Sequence, residues 1–239
     1  MAMKEFHDID EKVTKSVDLD AMISQMNVDQ KRIFEKVKHI LTFKEEILRL
    51  YISGEGGTGK SFLIEVIQTW IAKELNGQSA VTAPTGIAAY NVNGLTIHRY
   101  FQLLIEHDDT PKYKQLSDYL LKLMREQMRD VKLIIIDEIS MVSNTTLMYI
   151  NQRLMEIFNT FEQTDGWFGK KHILVFGDLL QLPPVRQDPP YMKIPSNAVE
   201  KRLGSMCSVN LWVDLFSYDE LTINMRQQKD KVYGNLLSR

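Results

Sequence analysis

Apolar residues recur along this chain at two periods, one helical and one extended. Asn27 to Leu41 carries Ile33, Phe34, Val37, Ile40 and Leu41 at helical spacing. Gly59 to Leu75 does the same with Phe62, Leu63, Val66, Ile67, Trp70 and Ile71. Between them Ile47 to Ser53 is a short apolar run that stops at Gly54, which predicts a buried strand. Gln78 to Ala83, closed by Pro84, predicts a second strand. Thr110 to Arg129 is amphipathic at helical period, and Asn144 to Phe158 is a further helix. Val131 to Ile136 and His172 to Phe176 are almost unbroken apolar runs, as strands covered on both faces must be. Leu221 to Ile223 reads as a last short strand and Tyr233 to Leu237 as the start of a helix. Met1 to Met26 is weakly patterned and reads as a partly ordered arm, and Gln187 to Ser205, rich in proline and polar residues, as a loop. Strands that alternate with helices predict an α/β fold with a doubly wound, mainly parallel sheet flanked by helices.

Composition narrows the class without naming a function. The chain has 239 residues, 44% hydrophobic and 25% charged, enough apolar content for a sizeable core. Its formal net charge of −2 means that any grip on nucleic acid is a local groove and not a global field. The single cysteine, Cys207, excludes a disulfide within the chain and fits a reducing intracellular compartment. The first fifteen residues lack the apolar core of a secretory signal, and no apolar run approaches the roughly 20 residues that span a bilayer. The expectation is a soluble intracellular protein with no membrane partner, in the nucleus or mitochondrion if its source is eukaryotic.

The chemistry concentrates in Gly54-Glu-Gly-Gly-Thr-Gly-Lys60-Ser61, which fits G-x-x-x-x-G-K-[ST] between a predicted strand and a predicted helix. Gly54, Gly56, Gly57 and Gly59, with Thr58 among them, let backbone N–H groups converge on phosphate oxygens. The helix that follows turns its positive end to the anion. Lys60 reaches the β- and γ-phosphates, and the Ser61 hydroxyl is a Mg²⁺ ligand. ATP is the substrate this cradle implies. A second metal-holding carboxylate is expected at the end of a neighbouring strand, and Asp137 supplies it after Leu133-Ile-Ile-Ile. Glu138, next to it, is the base that orients and deprotonates the attacking water. The next strand runs into Phe176-Gly-Asp178-Leu-Leu-Gln181-Leu-Pro-Pro-Val185, where Gln181 is placed to sense the γ-phosphate. Its alternative is a loop residue fixed by the two prolines.

These segments, in order, resemble a superfamily-one helicase, and most closely the petite-integration-frequency (Pif) family of 5′-to-3′ DNA helicases, with the RecD helicases next. Gln25-Met-Asn-Val-Asp-Gln30 resembles the family's adenine-reading segment, and Gly54 to Ser61 its first motif. Thr82-Ala-Pro-Thr-Gly-Ile-Ala-Ala89 and Gly94-Leu-Thr-Ile-His98-Arg-Tyr-Phe101 resemble its DNA-contacting motifs. Ile136-Asp-Glu-Ile-Ser-Met141, Gly177 to Val185 and Leu221-Thr-Ile-Asn-Met-Arg226-Gln227 resemble the second, third and fourth motifs. The resemblance implies a RecA-like P-loop NTPase, with Gln30 reading the adenine edge and Arg226 acting as an arginine finger. It also implies that residues 27–239 are the first of two RecA-like domains, the C-terminal RecA-like domain of the parent chain being the partner across the ATP cleft. This half alone is then expected to turn over ATP weakly or not at all.

Single-stranded DNA is the partner the resemblance implies. Pro84, Thr85 and Gly86 offer backbone and hydroxyl groups to its phosphates. His98 and Phe101 offer faces on which bases stack. For Phe101 and Tyr100 the alternative is plain core packing. His98-Arg99-Tyr100-Phe101 departs from the family's more usual His-Ser-Phe. The alternatives to a helicase motor are a nucleotide- and DNA-binding module without turnover, and another P-loop ATPase that remodels proteins.

Overall fold

Six strands, all paired in parallel, lie in the order β3-β2-β4-β5-β1-β6 in the computed structural model. It describes residues 18–43, 46–103, 113–194 and 210–225. The strands are β1 (Arg49–Gly54), β2 (Gln78–Ala83), β3 (Leu95–Thr96), β4 (Val131–Ile136), β5 (His172–Gly177) and β6 (Ser217–Leu221). Helices α1 (Leu19–Gln25), α2 (Val28–Phe43) and α3 (Lys60–Glu74) precede β2. The short α4 (Gly86–Asn91) and α5 (Ile97–Tyr100) flank β3. Two longer helices, α6 (Asp118–Gln127) and α7 (Asn144–Phe158), flank β4, and α8 (Leu211–Leu215) leads into β6.

The apolar strands are explained by their two covered faces. Leu133 and Ile135 pack with Leu50, Ile52, Leu174 and Phe176 against α1, α2 and α3. Ile134 and Ile136 point to the other face and pack with Tyr51, Ile173 and Val175 against α6 and α7. Side chains alternate along a strand, so a strand buried on both faces shows no polar interruption. The chain is thus the doubly wound α/β structure expected from its patterning.

Several boundaries move, each for a local reason. The final strand is Ser217–Leu221, ahead of the expected Leu221 to Ile223. It is an edge strand in which only Leu221 is buried, so hydrophobicity did not mark it. The helix expected from Thr110 starts at Asp118, where the Ser117 side chain accepts from Leu120 N and caps it. The end of the expected arm, Leu19–Gln25, is a helix capped by Asp18, and Leu19, Met22 and Met26 join the core. The expected helix at Tyr233 to Leu237 and Cys207 lie outside the described residues. Among the described residues no helix is long and apolar enough to cross a membrane.

One correction bears on the site. The carboxylate strand β4 does not adjoin β1; β5 lies between them and pairs with both. The acidic pair therefore reaches the glycine loop across the end of β5.

A buried charge network fixes the segment after α5. Arg153, on α7 and 2% exposed, donates from Nε to Phe101 O (3.0 Å) and from Nη2 to Gln102 O (3.3 Å) and Lys114 O (2.9 Å). Its Nη1 meets Glu156 Oε2 at 2.6 Å. Glu156 also accepts from Leu116 N (2.8 Å) and from the Tyr113 hydroxyl. The chain on both sides of residues 104–112 is thus stapled to α7. Removing one partner of such a pair leaves an uncompensated buried charge. Arg153→Ala is therefore expected to cost about 3–5 kcal/mol in urea unfolding. A loss below about 1 kcal/mol would show that the network is not what holds this segment.

Candidate functional site

The loop Glu55–Gly59 joins the end of β1 to the start of α3. Gly57 (φ 93°) and Gly59 (φ 82°) take left-handed backbone that disfavours side chains. Packing requires glycine as well. A Cβ on Gly59 would lie 2.3 Å from Gln30 Nε2, and one on Gly54 would lie 2.7 Å from Thr58 Oγ1. Above Gly56 a Cβ would meet nothing within 4 Å, so that side of the loop is open. No side chain caps α3, and its first amides face the loop without a competing acceptor. Lys60 Nζ donates to Gly54 O (2.6 Å) and Glu55 O (3.1 Å), which holds the ammonium across the loop. Ser61 is exposed on the first turn of α3.

Two separate segments fix this loop from outside. Asn27 and Gln30 form a reciprocal cap at the start of α2. Gln30 N donates to Asn27 Oδ1 (2.9 Å), and Asn27 N to Gln30 Oε1 (3.0 Å). Gln30 Nε2 then donates to Thr58 O (3.2 Å) and Gly59 O (3.4 Å). The expected adenine-reading glutamine is thus 1% exposed, with its amide spent on backbone, and reading an adenine edge requires it to exchange those partners. From the other side, Asn224 Nδ2 donates to Gly56 O (3.1 Å) and Met225 N to Gly57 O (2.9 Å). Thr222 bonds Asp29 through both N and Oγ1 at 2.8 Å. Asn224 and Met225 were not singled out in the sequence, because nothing local marks a residue whose partner is far along the chain; Asn27 was missed although its capping partner Gln30 is three residues away. Arg226 lies outside the described residues.

Asp137, at the tip of β4, is 5% exposed, and its Oδ1 is buried without a hydrogen-bond partner. Burial raises its carboxyl to about 6; a hydrogen bond from Glu138 N and the charge of Lys60 pull the other way. Glu138, half-buried, has left-handed backbone (φ 52°, ψ 49°), which turns the chain over the end of β5. That passage needs Gly177, where a Cβ would sit 2.9 Å from Ile139 N. Gly177 was read only as part of a motif; its signal is a glycine ending a strand that faces a turn.

Beyond Gly177, Asp178 closes a turn. Its Oδ1 accepts from Leu180 N (3.0 Å) and its Oδ2 from Gln181 Nε2 (3.3 Å). Gln181 is exposed, with its amide donating to Asp178 and not to the glycine loop.

The residues expected to touch DNA divide. Pro84 is half-buried, Gly86 is exposed, and Thr85 caps α4 by accepting from Ala88 N (3.2 Å). His98 is half-buried, and burial lowers its pKa, which favours the neutral imidazole. Phe101 overturns the stacking expectation. It is fully buried, packed edge-to-face on Tyr100 with centroids 5.0 Å apart, so it serves the core. Ile87 (79% exposed) and Tyr90 (83% exposed) on α4 are the apolar surfaces that periodicity did not reveal.

The chain matches the family model described as PIF1-like helicase over residues 25–235. It is 34% identical over 137 residues to ATP-dependent DNA helicase Pif1 of Psychrobacter sp., which covers 57% of this chain and 20% of that protein. It is 31% identical over 158 residues to ATP-dependent DNA helicase RRM3 of Saccharomyces cerevisiae, covering 63% and 20%. The chain thus spans about a fifth of the length of these relatives. Among solved structures, Bacteroides Pif1 bound to ssDNA superposes with a TM-score of 0.57 at 29% identity, over 85% of this chain and 45% of the other. Pif1 helicase from Candida albicans gives 0.62 at 25%, over 89% and 43%. A family match that runs from Gln25, ahead of α2, past the strap at Asn224 takes in both segments that clamp the glycine loop, and the chain belongs to the PIF1-like helicases.

Proposed function

We propose that this chain is the nucleotide-binding motor domain of an ATP-dependent DNA helicase, working 5′-to-3′ as its resemblance implies. The observation that carries the reading is a buried carboxylate oxygen on Asp137 without a hydrogen-bond partner, on a carboxyl that feels the charge of Lys60 in the glycine loop. A buried polar atom without a protein partner calls for an explanation, and a bound ion or water at a catalytic position is one. The relatives are named as ATP-dependent DNA helicases, and one neighbour, Pif1 from Bacteroides, was solved with ADP-AlF3 and ssDNA. They favour an enzyme over a binding module without turnover.

In this reading the loop amides and Lys60 hold the β- and γ-phosphates, with the Lys60 ammonium leaving the Gly54 and Glu55 carbonyls for phosphate oxygens. Ser61 and Asp137 would hold Mg²⁺; a single hydroxyl and a single carboxylate suit an ion that keeps waters and phosphate oxygens as its other ligands. When bound, it supplies neutralisation of phosphate charge. Glu138 orients the attacking water and takes its proton, and Gln181 senses the γ-phosphate. Arg226, directly after the residue bonded to Gly57, completes the site as an arginine finger. Pro84, Thr85, Gly86 and His98 line the path of single-stranded DNA. Leu180 and Leu182, 97% and 74% exposed beside Gln181, form the surface covered by a second RecA-like domain.

Three variants test the site. Lys60→Ala is expected to weaken binding of a fluorescent ATP analogue about tenfold or more; retained affinity would remove Lys60 from the phosphate site. Glu138→Gln should leave that affinity within about twofold while hydrolysis by the two-domain parent chain falls about 100-fold or more. Equal loss of both would mean that the base lies elsewhere. Asp137→Asn should raise Tm at pH 7.5 in the presence of EDTA, by about 2–4 °C for each kcal/mol relieved. The sign follows from its carboxyl, about 6 in the fold against 3.8 for an ordinary aspartate. Its contribution is favourable below pH 4 and is lost as pH rises through 6. The gain should therefore vanish below about pH 4, and a gain independent of pH would point to a cause other than ionisation.

A further inference from the structure

Residues 222–225 follow β6 and form a strap beside the glycine loop. None of its side chains is buried: Thr222 is exposed, Ile223 and Asn224 are half-buried, and Met225 is 38% exposed. Apolar packing therefore contributes little to its course, and hydrogen bonds set it. At its start, Thr222 donates from both N and Oγ1 to one oxygen of Asp29, Oδ2, at 2.8 Å each. At its end, Asn224 Nδ2 donates to Gly56 O and Met225 N to Gly57 O. A bond to an ionised acceptor is roughly twice as strong as a neutral one, so Asp29 is the firmest of these anchors. The carboxylate is itself fixed: its Oδ1 faces Arg32 at 3.5 Å, and Arg32 pairs with Asp219 and donates to Glu220 O (2.9 Å) on β6.

A planar trans peptide points its carbonyl and the following N–H to opposite sides. The bond that holds Gly56 O on the strap therefore turns the Gly57 N–H away from it, and the bond to Gly57 O does the same for the Thr58 N–H. Gln30 holds the next two carbonyls, Thr58 O (3.2 Å) and Gly59 O (3.4 Å), and so turns the Gly59 and Lys60 amides away from itself. Within the loop, Thr58 N also reaches Glu55 O at 3.4 Å. Four successive carbonyls are thus taken up by the clamps, and the amides that follow them point elsewhere. Successive backbone amides of this kind are the donor set that binds phosphate oxygens. Clamping the carbonyls presets the donors and cuts the ordering cost of binding an anion.

We propose that Asp29 is a positioning residue for the triphosphate. By fixing Thr222 it holds Asn224 and Met225 on the Gly56 and Gly57 carbonyls, and so keeps the Gly57 and Thr58 amides aimed at phosphate. The inference rests on the proposed ATP site and deepens it: Asp29 acts through the strap and not on the nucleotide. Its ordinary alternative role is that of an acid in the first turn of α2, where negative charge favours the positive end of the helix. That role needs only the charge. The strap needs an oxygen that accepts two bonds, which an asparagine amide supplies without charge.

The test is displacement of a fluorescent ATP analogue from this chain by inorganic tripolyphosphate, which carries phosphates and no base. Asp29→Ala should weaken the analogue and tripolyphosphate alike, by about tenfold. Asp29→Asn keeps an acceptor for Thr222 and should stay within about threefold of the unaltered chain. Equal loss in the two variants would assign the effect to charge at the start of α2 and overturn the proposal. Thr222→Val leaves α2 untouched, removes one of the two bonds, and should weaken tripolyphosphate about threefold. An unchanged affinity there would also overturn it. Asn224→Ala combined with Asp29→Ala should lose less than the product of the two single losses, because both act on one strap. Fully multiplicative losses would mean that Asp29 acts by another route. Binding of tripolyphosphate that Asp29→Ala does not alter would overturn this inference and leave the ATP reading standing. Binding of neither ligand by the unaltered chain would overturn the ATP reading itself.

Discussion

A carboxylate taken out of water with one oxygen unpaired opposes folding, and Asp137 is held that way by its place between β2 and β5. Its main-chain amide continues the ladder to Thr82 O at 2.8 Å, so the strand fixes where the side chain points. Glu138 adds left-handed backbone in the same turn, a cost of about 1–3 kcal/mol where such geometry is imposed. Both penalties persist because the surrounding sheet, apolar on both faces, over-determines the strand tip. The hydrogen bond from Glu138 N and, more weakly, the charge of Lys60 work against that burial. The glycine that ends β5 makes that arrangement sterically possible.

The glycine loop is held from two sides and stays open above Gly56. Gln30 fastens Thr58 and Gly59 to the start of α2, while Asn224 and Met225 fasten Gly56 and Gly57 to the chain that leaves β6. Thr222 and Asp29 then tie those two clamps to each other. The loop thus shares hydrogen bonds with two clamps, one ahead of α2 and one directly before Arg226 in the sequence.

The β3 edge of the sheet carries the segments proposed to meet DNA. Short elements α4, β3 and α5 place Pro84, Thr85 and His98 beside the turns after β4 and β5, and Arg153 pins the chain after α5 from beneath. The same network accounts for Phe101: the aromatic that follows His98 anchors this region to the core, which leaves the surface work to half-exposed neighbours. Rigid support beneath and accessible loops above is the division expected of a binding face.

The alternation of apolar runs with helical stripes determined the sheet-and-helix architecture by itself, because a strand buried on both faces has no other pattern available to it. The phosphate loop was equally legible, since left-handed glycines before a lysine and a helix are a local requirement written in consecutive residues. The place of Asp137 and Glu138 directly after a buried strand was legible for the same reason. Their distance from the loop in strand order was not, because β5 enters the sheet between β1 and β4 from far along the sequence. Nor could residue type decide that Phe101 is core, that Gln30 faces backbone, or that Asn224 and Met225 lie on the loop, since each depends on a partner distant in sequence. Local geometry is encoded in neighbouring residues; which loop meets which across the sheet is fixed only when the strands choose their order.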